Sequence, residues 1–213
     1  MKKFISVIPM QTPNQLSKAV YDSGSNLSLK TELATSFPIL VPMYKDVKPG
    51  EKIGVVTVKI KGAPNLAENT EQFQTQLNEI KEAKKFEVVE QIIEIEFTEA
   101  IDNQLKLFSA IMDCINENDE IIADITYGSK AMPVITVNAL QCVCKTVKNV
   151  YVDKLIYGSK DFSGNKSMRI FDVSALYFLN GVLDALAKAD VPITPELIKE
   201  MLKIEDDTNT DGD

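Results

Sequence analysis

The sequence predicts an α/β fold: a Rossmann-like, mostly parallel, doubly wound sheet with helices on both faces. Strand-like and helix-like runs alternate along the chain, the pattern that builds such sheets. The stretch Glu120–Pro133 reads as a buried strand (Ile121, Ile122, Ala123, Ile125), a polar glycine turn, and the start of an apolar helix, with Pro133 where a first helical turn tolerates proline. The tetrapeptide Tyr-Gly-Ser-Lys occurs twice, at 127–130 and 157–160, each time after a strand-like run.

Taken in order, Phe4–Pro9 reads as the first strand. The next stretch, Gln11–Pro38, is rich in Ser, Thr and Asn, and Tyr21–Asn26 marks a turn between short extended pieces or a hairpin. Thr35–Met43 reads equally as the start of a helix or a short strand. Ile53–Ile60 is a β-branched strand, and Asn69–Lys85 a helix with Phe73, Leu77 and Ile80 on one face. Phe86–Phe97 is a strand whose glutamates at 87, 90, 94 and 96 mark an exposed face or an edge. Thr98 is placed to cap a helix that runs to about Asn116, with Glu99 in its first turn.

The two strands that carry the repeated tetrapeptide follow, with an almost wholly apolar and therefore buried helix, Val134–Val147, between them. Both tetrapeptides are expected to be glycine turns at the carboxyl edge of the sheet, where ligands of open α/β sheets bind. Met168–Val173 is one more strand, Ser174–Lys188 an apolar helix, and Thr194-Pro195-Glu196 opens a short last helix. The expected organisation is one ligand-binding domain over 1–190, a short helix over 191–205 and an acidic, disordered tail over 206–213.

Composition narrows the chemistry. The 213 residues are 45% hydrophobic and 25% charged, ordinary for a globular domain. The longest apolar stretch is broken by Thr136, Asn138, Gln141 and Lys145, so no membrane span is expected. The first nine residues have too short an apolar core for a signal peptide, which leads to the expectation of a cytoplasmic protein. Three cysteines argue against a disulfide framework, and Cys114, Cys142 and Cys144 read as small core residues. There is no histidine, which removes histidine-based nucleophile systems and nearly all zinc and non-haem iron sites. No metal and no cofactor is expected. Of the net charge of −8, five units fall in the last eighteen residues. A track for long nucleic acid is not expected, while a small anion in a local basic pocket is compatible with this balance.

Neither G-x-G-x-x-G nor the P-loop follows any strand. The candidate site is instead the turn itself: Thr126, Tyr127, Gly128, Ser129 and Lys130, where a helix N-terminus offers backbone N–H groups beside a lysine and hydroxyls. Tyr157, Gly158, Ser159 and Lys160 form the second group on the same edge, and Gln11 and Thr12 follow the first strand into the same crevice. Each has a plainer reading as well. Tyr127 can cover the sheet edge, Lys160 can be a solvated lysine, and Asp124 and Asp172 can hold turns through their own backbones.

Asp124-Ile125-Thr126-Tyr127-Gly128-Ser129-Lys130-Ala131-Met132-Pro133 resembles the D-[IL]-T-[HY]-G-[FS]-[RK]-x-[ML]-P signature of CRISPR-associated Rossmann-fold (CARF) proteins. Leu155-Ile156-Tyr157-Gly158 resembles that family's next strand, and Phe171-Asp172-Val173-Ser174 the aspartate-bearing strand after it. Tyr127 and Lys130 stand where the family commonly has histidine and arginine. The resemblance implies a CARF-like fold in a type III CRISPR antiviral system. It also implies a homodimer that binds a cyclic oligoadenylate, most often the tetra-adenylate, across its two-fold axis. Two turns per subunit would then set four lysines against four phosphates.

The family's usual fused effectors have no room here, and the HEPN R-x-x-x-x-H site is impossible without histidine. Three readings stay open. The first is a metal-independent ring nuclease, in which Lys130 and Ser129 assist in-line attack of a ribose 2′-OH on the adjacent phosphate. The second is a binding-only sensor or sponge that works through a partner effector. The third is a different small-anion binder on the same sheet.

Overall fold

The computed structural model describes residues 1–160 and 168–201. The chain divides into two compact units, Met1–Ser174 and Ala175–Asp213.

The first unit is built on a six-stranded sheet. Its strands are β1 (Lys2–Val7), β4 (Lys52–Lys61), β5 (Glu87–Glu96), β6 (Glu120–Asp124), β7 (Tyr151–Lys160) and β8 (Met168–Asp172), in the order β5-β4-β1-β6-β7-β8. All neighbours are parallel except β7 and β8. The chain winds outward from β1 through β4 to β5, returns to lay β6 on the other side of β1, and winds outward again. The loops that leave the carboxyl ends of β1 and β6 therefore part in opposite directions and open a crevice at the switch point. Helices α1 (Leu40–Asp46) and α2 (Leu66–Lys84) pack together, as do α3 (Ile101–Asp113) and α4 (Ala131–Thr146). The fold is Rossmann-like α/β, as the alternation of the sequence predicts.

The centre of the sheet is buried on both faces, so its strands are continuous apolar runs rather than alternating ones. Phe4 and Ile5 on β1, Val55 and Val56 on β4, and Ile121, Ile122 and Ala123 on β6 are all fully or almost fully buried. One charge lies among them. Lys3 reaches the Asp119 carboxylate at 3.0 Å and also bonds the Cys114 carbonyl, with both charged side chains buried. Gly54 leaves room for it, since a Cβ there would stand 3.0 Å from Lys3 Cγ.

The polar stretch after β1 holds one 3-10 turn (Pro13–Gln15) and a two-stranded antiparallel pair, β2 (Ala19–Val20) and β3 (Ala34–Thr35). It is anchored by α2. Gln76 Oε1 accepts the Thr35 hydroxyl at 2.8 Å and the Ser36 N–H at 2.9 Å, and Gln72 donates to the Leu16 carbonyl at 2.8 Å. Thr35–Met43 thus contains both elements that the sequence left open, the end of β3 and the start of α1.

Several expectations are corrected. Tyr157–Lys160 is not a turn. It is the last part of β7, paired antiparallel with β8 from Ile156↔Asp172 to Lys160↔Met168. The reason for Gly158 is close approach: a Cβ there would lie 2.4 Å from Pro38 Cγ. Helix α3 starts later than expected, at Ile101 after an uncapped Ala100. Thr98 Oγ1 instead accepts the Ala100 N–H, and Asn103 closes the loop with bonds to the Glu96 N–H and to the Glu96 and Thr98 carbonyls. Helix α4 is buried along one face only, through Met132, Thr136, Ala139, Leu140 and Val143, while Val134 is 61% exposed. Cys114 is buried, whereas Cys142 and Cys144 are half-buried on α4. The glutamate-bearing strand β5 is both an edge and half-exposed, as read from the sequence.

The second unit contains most of α5 (Ser174–Lys188) and all of α6 (Pro195–Met201). Thr194 Oγ1 accepts the Leu197 N–H at 3.2 Å, the expected cap. The acidic tail at 206–213 lies outside the described residues. No helix among the described residues is long and apolar enough to cross a membrane.

Candidate functional site

The strand–turn–helix from β6 into α4 forms the core of the candidate site. Asp124, the last residue of β6, is buried, and its Oδ1 accepts both the backbone N–H of Thr126 (2.8 Å) and the Thr126 hydroxyl. This bracket turns the chain sharply out of the sheet. Gly128 follows with φ +105°, a conformation that side-chain-bearing residues avoid, and a Cβ there would stand 2.6 Å from Met132 Sδ. Ser129 then closes the turn by accepting the Met132 N–H at 3.1 Å, and Lys130 stands at the N-cap of α4.

That geometry leaves donors unspent. Among the described residues, nothing accepts the backbone N–H groups of Gly128, Ser129, Lys130 or Ala131. They lie at the start of a 16-residue helix, so the helix dipole adds to them, and such a row of donors, a nest, suits an anion. Pro133 has no N–H and adds nothing. Lys130 is exposed and forms no ion pair among the described residues, so its ammonium is available beside the nest.

The other predicted residues fall into three groups. Thr126 and Tyr127 are committed internally. The Thr126 hydroxyl donates to Asp124, and its oxygen accepts the Gly158 N–H at 2.7 Å. Tyr127 is buried, and its hydroxyl donates to the Ser36 carbonyl at 3.0 Å, where Tyr21 also converges at 3.4 Å. Burial, the neighbouring Tyr21 and the Asp124 charge push the Tyr127 phenol far above its ordinary value, so it stays protonated.

Gln11 and Thr12 are exposed beyond the carboxyl end of β1, which pairs with β6 through Ile5↔Ala123. Asn69 fixes their backbone by donating to the Pro9 and Gln11 carbonyls at 2.8 and 2.9 Å. Tyr157 and Ser159 stand on the opposite face of β7 from Gly158, because side chains alternate along a strand. The second tetrapeptide therefore does not reproduce the first, and it supplies no second nest.

Sequence reasoning missed the electrostatics of Asp124. Burial raises its carboxyl from 3.8 to about 6 against the hydrogen bonds from Thr126 and the Ile39 backbone, and its Oδ2 has no hydrogen-bond partner. It also missed a groove of about 310 Å³ beside the nest, between α3 and α4. Its walls include Ile60, Ile95, Phe97, Leu107 and Met132, with Ser129 on the rim shared with the nest. Glu96 and Glu99 make that groove unfavourable for a phosphate. No group of three or more metal-ligating side chains occurs among the described residues.

The fold is Rossmann-like α/β, and a row of backbone N–H groups without acceptors among the described residues follows β6 at its switch point. No protein-family model matches the chain, and no curated protein matches it.

Proposed function

We propose that this chain is a CARF-type protein of type III CRISPR defence. It binds a cyclic oligoadenylate, with the tetra-adenylate as the first candidate, at the interface of a homodimer. The observation that carries the reading is the row of unspent N–H groups from Gly128 to Ala131 beside the free ammonium of Lys130, at the switch point of the sheet. A phosphodiester fits such a nest because backbone donors and one mobile cation neutralise it without dehydrating a second buried charge. Exposed Ile101 and Leu105 on α3 and Val134 on α4 give the first unit an apolar face that a second copy would cover. Each protomer then contributes one nest, so two nests face the ring.

Cleavage, where it occurs, proceeds by attack of a ribose 2′-oxygen on its own 3′-phosphorus. The P–O bond to the next 5′-oxygen breaks, and a 2′,3′-cyclic phosphate and a 5′-hydroxyl form. Lys130 and the nest stabilise the charge that develops on the phosphoryl oxygens, and Ser129 positions the phosphate. The 2′-OH proton needs an acceptor. Asp124 is buried, and the Thr126 and Tyr127 hydroxyls are committed. That arrangement favours a second reading, a sensor or sponge that holds the messenger intact for a partner effector.

Incubation with cyclic tetra-adenylate in EDTA, followed by chromatography, separates the two. Linear products that slow at least tenfold in Lys130→Ala establish the ring nuclease. Intact ligand recovered from the bound protein establishes the sensor. Absence of binding refutes both.

A further inference from the structure

The β7–β8 ribbon carries a second chemistry that the nest does not use. In an antiparallel pair, residues directly opposite each other point to the same face. Tyr157 lies opposite Phe171, and Ser159 lies opposite Arg169. Ile156, Gly158 and Ile170 alternate with them and are buried. One face of the ribbon is thus closed against the core. The other presents Tyr157 at 41% exposure and Phe171 at 37%, with the exposed Arg169 on the same face.

Arg169 is the only arginine in the chain. Its guanidinium lies over the Phe171 ring at 5.0 Å and forms no ion pair among the described residues. Asp22 bridges to Arg169 through the main chain, but its Oδ1 accepts the Gly24 N–H at 2.9 Å. Asp172 is also spent, on the backbone and hydroxyl of Ser174.

We propose that this face is a stacking platform for a nucleobase of a phosphodiester-linked oligonucleotide. A guanidinium held over one ring keeps its N–H groups free for a phosphate and can offer its plane to a base. The phenol of Tyr157 supplies a second ring beside it, and the Ser159 hydroxyl a polar contact. An apolar partner segment would leave the arginine unpaired, and a purely anionic one would leave the two rings unused. The inference does not depend on the cyclic ligand, because a linear strand offers the same base and phosphate.

Fluorescence anisotropy at low salt tests it, with labelled linear hexa-adenylate as the probe and an abasic deoxyribose-phosphate hexamer as the control. The expected result is saturable binding of the adenylate and not of the abasic strand. Phe171→Leu and Arg169→Ala should weaken it roughly tenfold or more, the scale of losing one base stack. Arg169→Lys keeps the charge and the fold but loses the plane, and should weaken binding as well. Thermal melting of each variant confirms folding. Unlabelled cyclic tetra-adenylate as competitor shows whether a ring or only a linear strand reaches the platform. No binding of the adenylate overturns the proposal, as does equal binding of the abasic strand. A change in sedimentation of Phe171→Leu with unchanged nucleotide affinity also overturns it, and assigns the face to a second copy of the chain.

Discussion

Gly158 donates its backbone N–H to the hydroxyl oxygen of Thr126 across 2.7 Å, and the Thr126 hydroxyl in turn donates to Asp124 Oδ1. The same device recurs on the other side of β7. Leu155 donates its N–H to the Ser174 hydroxyl at 2.7 Å, and Ser174 donates to Asp172. Two Asp-x-Ser/Thr brackets, one from each neighbouring strand, therefore grip β7 where it leaves the parallel part of the sheet. The first bracket also fixes the start of the anion nest, so nest and strand are built as one piece.

Gly158→Ala should destabilise the protein by about 1–3 kcal/mol, the cost of overpacking. The new methyl would meet Pro38 Cγ at 2.4 Å and the Thr126 hydroxyl at 3.2 Å. Chemical denaturation measures the loss, and Pro38→Ala in the same chain should recover part of it. Gly128→Ala should also destabilise, because its φ of +105° is strained for alanine.

Asp124 makes stability pH-dependent in a direction opposite to most carboxylates. Burial raises its folded-state pKa from 3.8 to about 6, so the folded state binds the proton more tightly than the unfolded one. Stability contributed by that proton is present below about pH 4 and is lost as pH rises through 6. A shift of two units corresponds to roughly 3 kcal/mol. Asp124→Asn keeps an oxygen for Thr126 and removes the charge. Denaturation curves of parent and variant, taken from pH 4 to 8, should diverge by about this amount in favour of the variant at high pH. Parallel curves would contradict the assignment.

Asp119 titrates the other way. Burial alone would raise its carboxyl, but the Asn116 N–H, the Met1 amino group and Lys3 outweigh that and hold it below the ordinary range. Its contribution is present at neutral pH and is lost as pH falls through its depressed value. Lys3→Met should cost about 3–5 kcal/mol by leaving Asp119 without its buried partner. The double variant Lys3→Met/Asp119→Leu should recover much of the loss, measured by equilibrium unfolding.

The legible parts of this chain are those set by local chemistry. Ile121–Ala123 followed by Gly128 and Pro133 specifies strand, turn and helix, and the structure places them so, although β6 ends at Asp124 and leaves the half-buried Ile125 outside it. The illegible parts depend on distant contacts. Gly158 reads as a turn residue because the proline that requires it, Pro38, lies 120 positions earlier. Thr98 reads as a cap, but in the fold its hydroxyl accepts the Ala100 N–H and its carbonyl is held by Asn103 from inside the next helix. The hydroxyls of Thr126 and Tyr127 look available in sequence and are spent on Asp124 and Ser36 in the fold. The aromatic–arginine face of β7–β8 appears only once the antiparallel register is known.

The central claim is that the Gly128–Lys130 nest binds the phosphodiester of a cyclic oligoadenylate. Calorimetric titration of the protein with cyclic tetra-adenylate in EDTA, beside Lys130→Ala, tests it most directly. The account predicts saturable binding by the parent, at one ring per two chains, and at least tenfold weaker binding by the variant. Equal affinity of parent and variant, or no binding by the parent, would contradict it.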